Sequence, residues 1–478
     1  MAEKRKKAKT RNPNREATVV TYFFLILFLA MMAYFVYFMV VESEDFINNP
    51  YNTLQNLFSE RIVRGDIVSA DGEVLATTAT DEEGNETREY PYGRVFAHVV
   101  GYATNGKFGL ENQENFDLLR SHTSLPTRIM NDIRDEKSQG DTVVTTLRAD
   151  LQQIAYDALG DYDGAVVLLE PSTGKILCMV SKPDYDPNTI EEDWDAINSD
   201  SESSVLVNRA TQGKYAPGST FKIVTLLEYY RENSSNYDDF SFDCAGEYTS
   251  DGQTIHCASN KKHGTETLKD AFANSCNSAF AYLSLSLDVS SYASLADSLL
   301  FNQSLPIELE SSKSSFTLDA DASDSLIMET GIGQGNTLVS PLHMALIVSA
   351  IANDGTLMTP YLVDYVESDD GTLVSQNEAV EYGALMTQDE AAVLQEYMRS
   401  VVTDGTASAL NSSNYTAYGK TGTAQVSDTT DQTNAWFVGY ASKSGYEDIA
   451  IAVIVEDSGS GSSYAVPIAS KIFEAYFD

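Results

Sequence analysis

The order of apolar and polar positions divides the chain into an apolar N-terminal run and a long body of mixed pattern. Ala17 to Val41 is a run of twenty-five residues without a charge, and a helix of that length covers a hydrocarbon core of about 30 Å. Residues 1–16 carry seven Lys or Arg against two Glu. We therefore predict a transmembrane anchor at 17–41 after a cytoplasmic basic tail at 1–16. A cleaved signal peptide is the alternative, but the run is long and lacks an A-x-A-like site.

The body after the anchor starts with strand-like alternation. Apolar positions alternate with polar ones on both sides of Asp71-Gly72, which predicts a hairpin in a β-rich module. The pattern later changes from period 2 to a helical period, so we place a domain boundary near Leu147. The sequence thus predicts a membrane-proximal pedestal module at 42–147, beginning with a polar stalk to about residue 60, and a second domain at 148–478.

The second domain begins and ends with strand patterns and is helical between them. Two apolar segments joined by a Pro-Ser-Thr-Gly turn occupy 164–180, residues 215–300 are mostly helical in pattern, and strands return before a final helix. We expect the first and last strands to pair in one sheet covered by helices, which is an α+β fold. The Ser- and Asp-rich segments at 308–324 and 366–382 predict solvated loops.

Charge and cysteine content narrow the choice of partners. The formal net charge is −39 although the tail is basic, so the body repels phosphates and we exclude a nucleic-acid partner. Cys178, Cys244, Cys257 and Cys276 are too sparse for a disulfide framework. Cys244 and Cys257 form a disulfide or remain two free thiols. The histidines near Cys257 follow no standard zinc spacing, and the sequence predicts no metal site.

Candidate chemistry begins in "YAPGSTFK", where Ser219 precedes Lys222 by three residues. A serine nucleophile needs a base, and a helix places positions i and i+3 on the same face. A helix that begins at Ser219 would also direct unpaired backbone N–H groups towards a substrate. The same S-x-x-K spacing at Ser172 and Ser259 lies in a turn and in a polar loop, which predicts no catalytic role there.

Two motifs later in the chain support a catalytic role for Ser219 and Lys222. Ser275 and Asn277 form S-x-N at a break between apolar helical stretches, and Lys420-Thr421-Gly422 opens a strand whose glycine allows an extended peptide to approach. S-x-x-K, S-x-N and K-T-G in this order are typical of penicillin-binding proteins and class A β-lactamases. With "NRATQGKYAPGSTFK", "HGTETLKDAFANSCNSAF" and "KTGTAQ", the chain resembles a class B penicillin-binding protein, a monofunctional peptidoglycan D,D-transpeptidase.

The resemblance implies serine acyl transfer between peptidoglycan stem peptides. Ser219 would attack the D-Ala-D-Ala carbonyl, release the terminal D-alanine and pass the acyl group to the amine of a second stem. Lys222 would be the base, and Ser275 would relay a proton to the leaving amine. Lys420 would be the cation that keeps Lys222 poised, and Asn277 would bind a backbone amide of the substrate.

The resemblance also implies the groups that bind the reacting carbonyl and the peptide terminus. The backbone N–H groups of Ser219 and Thr423 would form an oxyanion hole. The hydroxyls of Thr421 and Thr423 would bind the terminal carboxylate, with Gly422 between them leaving room for the peptide backbone. Two further features are expected to shape the cleft without reacting: Gly333-Gln334-Gly335 and Trp436.

The implied partners are stem peptides, β-lactams as covalent inhibitors, the membrane and a membrane-embedded glycan-strand polymerase. No cofactor is implied, and the catalytic body would lie outside the cell membrane in a single-pass protein. A β-lactam-hydrolysing or β-lactam-sensing relative is the nearest alternative, because these proteins share Ser/Lys acylation. A non-catalytic scaffold of a wall-building complex is the other.

Overall fold

A computed structural model of the protein describes residues 15–38, 61–201, 203–426 and 432–478. The chain forms two compact units divided after Gln55. The predicted basic tail as far as residue 14 and the predicted stalk at 42–60 lie outside the described residues.

The first unit contains one long apolar helix, Arg15–Tyr37. Its segment Ala17–Tyr37 is long and apolar enough to cross a membrane, and its large apolar side chains are exposed. Such a surface is stable in hydrocarbon rather than in water. The helix therefore agrees with the predicted anchor, of which residues 39–41 are outside the described part of the chain.

The second unit is the body, in which helices and strands alternate. Its α-helices span Ala97–Val100, Leu110–Gln113, Asn115–Leu118, Leu125–Arg134, Ala149–Leu159, Ile190–Ser199, Lys222–Glu232, Leu268–Ala273, Asn277–Ser284, Val289–Ser298, Asp324–Gly331, Pro341–Ala352, Gln388–Thr403 and Ala465–Phe477. Its strands span Ile62–Val63, Ile67–Val68, Val74–Thr80, Glu86–Glu89, Ser138–Gln139, Thr142–Thr145, Gly164–Leu169, Ile176–Lys182, Ser241–Cys244, Glu247–Ser250, Gln253–His256, Gly264–Thr267, Thr356–Met358, Val363–Glu367, Leu373–Gln376, Glu381–Ala384, Thr416–Gln425, Thr433–Ser442 and Ile449–Val455.

The large sheet of the body has five antiparallel strands. Their order across the sheet is Thr416–Gln425, Thr433–Ser442, Ile449–Val455, Gly164–Leu169 and Ile176–Lys182. The predicted pairing of first and last strands is confirmed, since Val453 lies opposite Val166. Thr416–Gln425, called the edge strand below, leaves one side of its backbone without a strand neighbour among the described residues.

Helices cover the five-stranded sheet on both faces. Every residue of Ile449–Val455 is buried, which is the pattern of a strand covered on both sides. Helix Pro341–Ala352 packs on the central strands, while Ala149–Leu159 and Ala465–Phe477 pack on each other and on the sheet. The α+β class predicted from the sequence is therefore confirmed.

The pedestal contains a six-stranded sheet that crosses the expected domain boundary. Its strand order is Leu373–Gln376, Val363–Glu367, Thr142–Thr145, Ile67–Val68, Val74–Thr80 and Glu86–Glu89. The prediction that 366–382 is a solvated loop is wrong, because the strand Leu373–Gln376 and the end of the strand Val363–Glu367, both in this sheet, lie within it. In the strand Val363–Glu367, Val363 and Val366 are buried. The polar residues around them interrupt the apolar pattern that would have predicted a strand. The boundary near Leu147 stays a prediction.

A buried ion-pair network stabilises the pedestal beside this sheet. The carboxylate of Glu111, which has no exposed surface, accepts hydrogen bonds from Nε of Arg64 at 2.6 Å and Nε of Arg88 at 2.7 Å. Burial alone would raise the pKa of Glu111, but the two guanidinium groups hold the pKa below its usual value. Removing either partner would leave an uncompensated buried charge.

A small β-rich insert, residues 241–267, packs against the helices that carry S-x-N. Ser241–Cys244 pairs with Gly264–Thr267, and Glu247–Ser250 pairs with Gln253–His256. Three of these strands contact the helix Asn277–Ser284. The insert therefore lies directly behind the segment that carries Ser275 and Asn277.

Candidate active site

Ser219 lies in a single 3₁₀ turn, Gly218–Phe221, which runs directly into the α-helix Lys222–Glu232. The expectation that an α-helix begins at Ser219 is therefore wrong by one turn. Gly218 enters the turn with φ +53, a conformation in which a glycine is favoured. The Thr220 hydroxyl tightens the turn by donating to the Pro217 carbonyl at 2.7 Å.

Hydrogen bonds and close packing hold this turn beside the edge strand. Gly218 N–H donates to the carbonyl of Gly333 at 2.8 Å, and a Cβ on Gly218 would lie 2.7 Å from the carbonyl oxygen of Thr423. The indole Nε1 of Trp436 donates to the Ala216 carbonyl at 3.1 Å. Gly333 and Trp436 therefore hold the segment that carries Ser219. Their expected part in shaping the cleft without reacting stays a prediction.

The S-x-N segment joins two helices: Ser275 lies in the turn that ends helix Leu268–Ala273, and Asn277 begins helix Asn277–Ser284. Ser275 has φ +57, its N–H donates to the Phe272 carbonyl at 3.1 Å, and the Cys276 N–H donates to the Ala271 carbonyl at 2.8 Å. These are the two hydrogen bonds of a Schellman motif, in which the left-handed position is usually glycine. A serine in that conformation is strained by about 1 kcal/mol, so the hydroxyl is held in place at a cost in stability.

Two lysines converge on the hydroxyl of this serine. Lys222 Nζ donates to the Ser275 carbonyl at 2.8 Å, to Asn277 Oδ1 at 2.8 Å and to Ser275 Oγ at 3.3 Å. Lys420 Nζ donates to Ser275 Oγ at 2.8 Å and to the Thr421 carbonyl at 3.0 Å. Ser275 Oγ therefore lies between the two amines and can pass a proton between them.

Burial shifts the titration of both lysines. Burial lowers the pKa of Lys222 to about 8, although nearby thiols and Glu266 oppose the shift. Burial, and then repulsion by Lys222, lower the pKa of Lys420 well below its usual value. Desolvation, rather than the charge of Lys420, is thus the main reason why Lys222 can act as a base near neutral pH. The role of Lys420 as the poising cation stays a prediction.

The predicted nucleophile is accessible and unengaged. Ser219 is half-buried, and within the described parts of the chain neither its hydroxyl nor its backbone N–H has a hydrogen-bond partner. The free N–H suits the predicted oxyanion hole. Thr423 is exposed beside it on the edge strand.

Thr421 has a hydrogen-bond partner that none of the motifs predicts. Its hydroxyl lies 2.5 Å from the hydroxyl of Thr406, and the side chain is almost buried. Thr406 belongs to no motif, so only the folded chain reveals the contact. The structure thus brings the three motifs together around one cleft: Ser219, Lys222, Ser275, Asn277, Lys420, Thr421, Gly422 and Thr423.

Comparison with known families decides between the enzyme classes that share these motifs. Residues 164–474 match the model of the penicillin-binding protein transpeptidase domain, and residues 64–143 match the model of the penicillin-binding protein A dimerisation domain. The chain belongs to the class B penicillin-binding proteins. The expected family is confirmed, and the cleft described above is that of a transpeptidase domain.

Similar proteins extend over nearly the whole transpeptidase. It is 30% identical to peptidoglycan D,D-transpeptidase PbpA of Mycolicibacterium smegmatis over 93% of this chain and 95% of the relative. It is 29% identical to penicillin-binding protein 3 of Bacillus subtilis over 85% of this chain and 66% of the relative. Both domains of the body are therefore included in the likeness to PbpA.

Solved structures share the fold. Penicillin-binding protein A of M. tuberculosis in a ceftriaxone acyl-enzyme complex matches with a TM-score of 0.80 and 27% identity, over 88% of this chain and 100% of the other. The D,D-transpeptidase domain of a peptidoglycan glycosyltransferase from Eggerthella lenta matches with a TM-score of 0.77 and 29% identity, over 87% of this chain and 99% of the other.

Proposed function

We propose that this D,D-transpeptidase cross-links peptidoglycan stem peptides by serine acyl transfer. The hydroxyl of Ser219 attacks the carbonyl carbon of the penultimate D-alanine, the peptide bond breaks, and the terminal D-alanine leaves with the proton that Ser219 gave up. The amine of a second stem then attacks the acyl-enzyme and restores Ser219. The convergence of Lys222 and Lys420 on Ser275, beside an unengaged Ser219, is the observation that carries the proposal.

The hydrogen bonds around Ser275 supply a route for the proton. Neutral Lys222 takes the proton from the Ser219 hydroxyl. The lowered pKa of Lys222 means that this neutral form is populated near neutral pH. Ser275 Oγ lies 3.3 Å from Lys222 Nζ and can deliver a proton to the leaving amine. Asn277, whose Oδ1 is held by Lys222 and whose Nδ2 donates to the His256 carbonyl at 3.0 Å, is fixed in orientation beside the substrate.

The edge strand is the proposed platform for the peptide. An extended peptide that pairs with the open side of Thr416–Gln425 adds one strand to the sheet. The scissile carbonyl then lies near the backbone N–H groups of Ser219 and Thr423, which form the oxyanion hole. The terminal carboxylate is bound by the hydroxyls of Thr421 and Thr423, and Gly422 leaves room for the peptide.

Labelling with a fluorescent penicillin tests the reaction at Ser219. A β-lactam presents a strained amide to the same nucleophile, so intact protein should form a stable acyl-enzyme, and Ser219→Ala should abolish the label. Ser172→Ala is the matched control: it removes the serine of another S-x-x-K, exposed and bonded to Glu447, and should leave labelling unchanged. Loss of the label within seconds would identify a β-lactamase instead, and no labelling of the intact protein would favour the scaffold.

The proposed location is the cell membrane, with the tail in the cytoplasm and the body outside. The apolar helix Arg15–Tyr37 supports this arrangement, as does the basic composition of residues 1–16. A protease added to intact cells should digest the body and spare the tail. Digestion only after the cells are lysed would overturn this topology.

The proposed partner within the membrane is a glycan-strand polymerase, which supplies the strands to be cross-linked. Helix Leu125–Arg134 in the pedestal supports a protein contact because Leu125, Ile129, Met130 and Ile133 are exposed together on it. Ile133→Asp should reduce co-purification of a membrane polymerase in detergent, whereas Thr127→Asp on the same helix should not. Equal recovery with both variants would contradict this contact.

A further inference from the structure

Three cysteines and a histidine meet behind the S-x-N segment. Cys244, Cys257, Cys276 and His263 bring three sulfur atoms and one ring nitrogen within 4.8 Å of one another. The cysteines are buried, and the histidine side chain is only 5% exposed. Three thiols and an imidazole converging in a buried space match the composition of a structural zinc site.

The strand pairing of the insert creates this convergence. Cys244 ends its strand directly opposite Gly264, so His263 is brought beside it. Cys257 follows the neighbouring hairpin strand, and Cys276 caps the N-terminus of helix Asn277–Ser284. The spacing along the chain therefore resembles no standard zinc motif, although the four side chains are neighbours in space.

Three of the six separations between the donor atoms agree with the edges of a tetrahedron around one ion, and the other three lie within 4.8 Å. Two thiolates at about 2.3 Å from zinc lie about 3.8 Å apart, and a thiolate and an imidazole nitrogen lie about 3.6 Å apart. Cys257 Sγ is 3.7 Å from both Cys244 Sγ and Cys276 Sγ, and Cys244 Sγ is 3.4 Å from His263 Nδ1. A disulfide would account for only two of the three sulfur atoms.

The surroundings of the cluster provide an independent indication of a cation. Glu266 is 3% exposed, yet its Oε2 has no hydrogen-bond partner within the described residues. That oxygen lies 3.8 Å from His263 Nδ1, while Oε1 accepts a hydrogen bond from Asn274 at 2.8 Å. A buried carboxylate oxygen without a donor is costly, and a divalent ion in the cluster would stabilise its charge.

Hydrogen-bond donors also surround the sulfur atoms. The Ala279 N–H donates to Cys276 Sγ at 3.4 Å, and the Ser278 hydroxyl lies 3.1 Å from Cys257 Sγ. Such contacts in the outer shell orient metal-bound thiolates and stabilise their negative charge. The cluster therefore has both an inner set of four donors and an outer set that suits a bound metal.

We propose that Cys244, Cys257, Cys276 and His263 bind one Zn²⁺ in a closed, structural site. On binding, each thiol loses its proton to solvent and sulfur–zinc bonds form, without any change of oxidation state. All four positions of the tetrahedron are filled by protein, so the ion has a structural role. Since Cys276 separates Ser275 from Asn277, the metal fixes the S-x-N segment to the insert.

Metal analysis of the full-length chain in detergent tests the site directly. We expect about one zinc per chain by mass spectrometry of the metal. Cys257→Ser removes a thiolate that binds the ion directly, so it should reduce zinc affinity by more than the roughly tenfold that follows loss of an outer-shell partner. Cys178→Ala removes the buried cysteine of the five-stranded sheet, outside the cluster, and should retain the metal.

A second measurement on the unchanged sequence keeps the test independent of folding defects. Zinc is removed with a chelator and Co²⁺ is added; thiolate coordination gives an intense sulfur-to-cobalt absorption band that Zn²⁺ then displaces. Labelling by fluorescent penicillin should slow after chelation and recover with Zn²⁺. Absence of both zinc and the cobalt band would overturn the proposal, as would a disulfide between any two of the three cysteines in the purified chain.

Discussion

Lys222 links activity to pH through its buried amine. The base must be neutral, and burial lowers the pKa of Lys222 to about 8, so the neutral fraction increases as the pH rises through that value. The second-order rate of penicillin acylation should therefore increase about tenfold per pH unit below about pH 8 and level off above it. Stopped-flow labelling across this range measures the profile.

Lys222→Arg provides the control for that profile. An arginine stays charged throughout the range, so this variant should show no acylation at any pH within it. A flat profile for the unchanged protein would contradict Lys222 as the titrating base.

Ser275 combines a strained backbone with a required hydroxyl. Ser275→Ala and Ser275→Gly both remove the group between the two lysines, so both should slow acylation by about 100-fold. Only glycine relieves the left-handed conformation at φ +57. Ser275→Gly should therefore be more stable than Ser275→Ala by about 1 kcal/mol in denaturant unfolding. Equal stabilities would show that the backbone at this position is not strained.

At the scale of elements, the turn before the nucleophile helix depends on one glycine. Gly218→Ala introduces both a left-handed alanine and a Cβ 2.7 Å from the Thr423 carbonyl oxygen. We expect it to destabilise the fold by about 3 kcal/mol and to abolish labelling by penicillin, because the edge strand must move.

Gly84→Ala is the control that separates the cost of a left-handed alanine from the cost of a steric clash. Gly84 also has a positive φ, +86, but nothing lies within 4 Å of its Cβ position. This variant should lose only about 1 kcal/mol and keep full labelling. Similar losses in thermal unfolding for both variants would mean that close packing of the turn on the edge strand contributes little.

The elements differ in how far the sequence could predict them. The strands Gly164–Leu169 and Ile449–Val455 are apolar throughout, and their pairing follows from their positions at either end of one domain. The strands within 366–382 were missed because few of their residues are buried. The catalytic motifs were recognised from their order along the chain.

The cysteine cluster is a feature that local sequence patterns do not predict. Its proposed ligands come from the ends of the paired strands Ser241–Cys244 and Gly264–Thr267, from the end of a neighbouring hairpin and from a helix cap, and the register of the paired strands places Gly264 opposite Cys244. No local pattern fixes that register. The Thr406–Thr421 contact was hidden for the same reason, since it joins a loop to the edge strand.

At the scale of the whole molecule, the apolar N-terminal helix and the body belong to separate units. All the residues of the cleft belong to the body, as do the core residues of both sheets. A chain that begins at Asn56 should therefore bind penicillin at a rate within about twofold of the full-length protein in detergent. A much slower rate, with unchanged thermal unfolding, would show that the N-terminal unit affects the cleft.

The order of strands in the large sheet also has a consequence for the timing of maturation. Gly164–Leu169 gains its second strand neighbour only when Ile449–Val455 is present, so the sheet closes only after nearly the whole chain has been synthesised. Until then, the sheet that holds Ser219 near Lys420 is incomplete. Chains interrupted before Ile449–Val455 is synthesised should therefore lack transpeptidase activity.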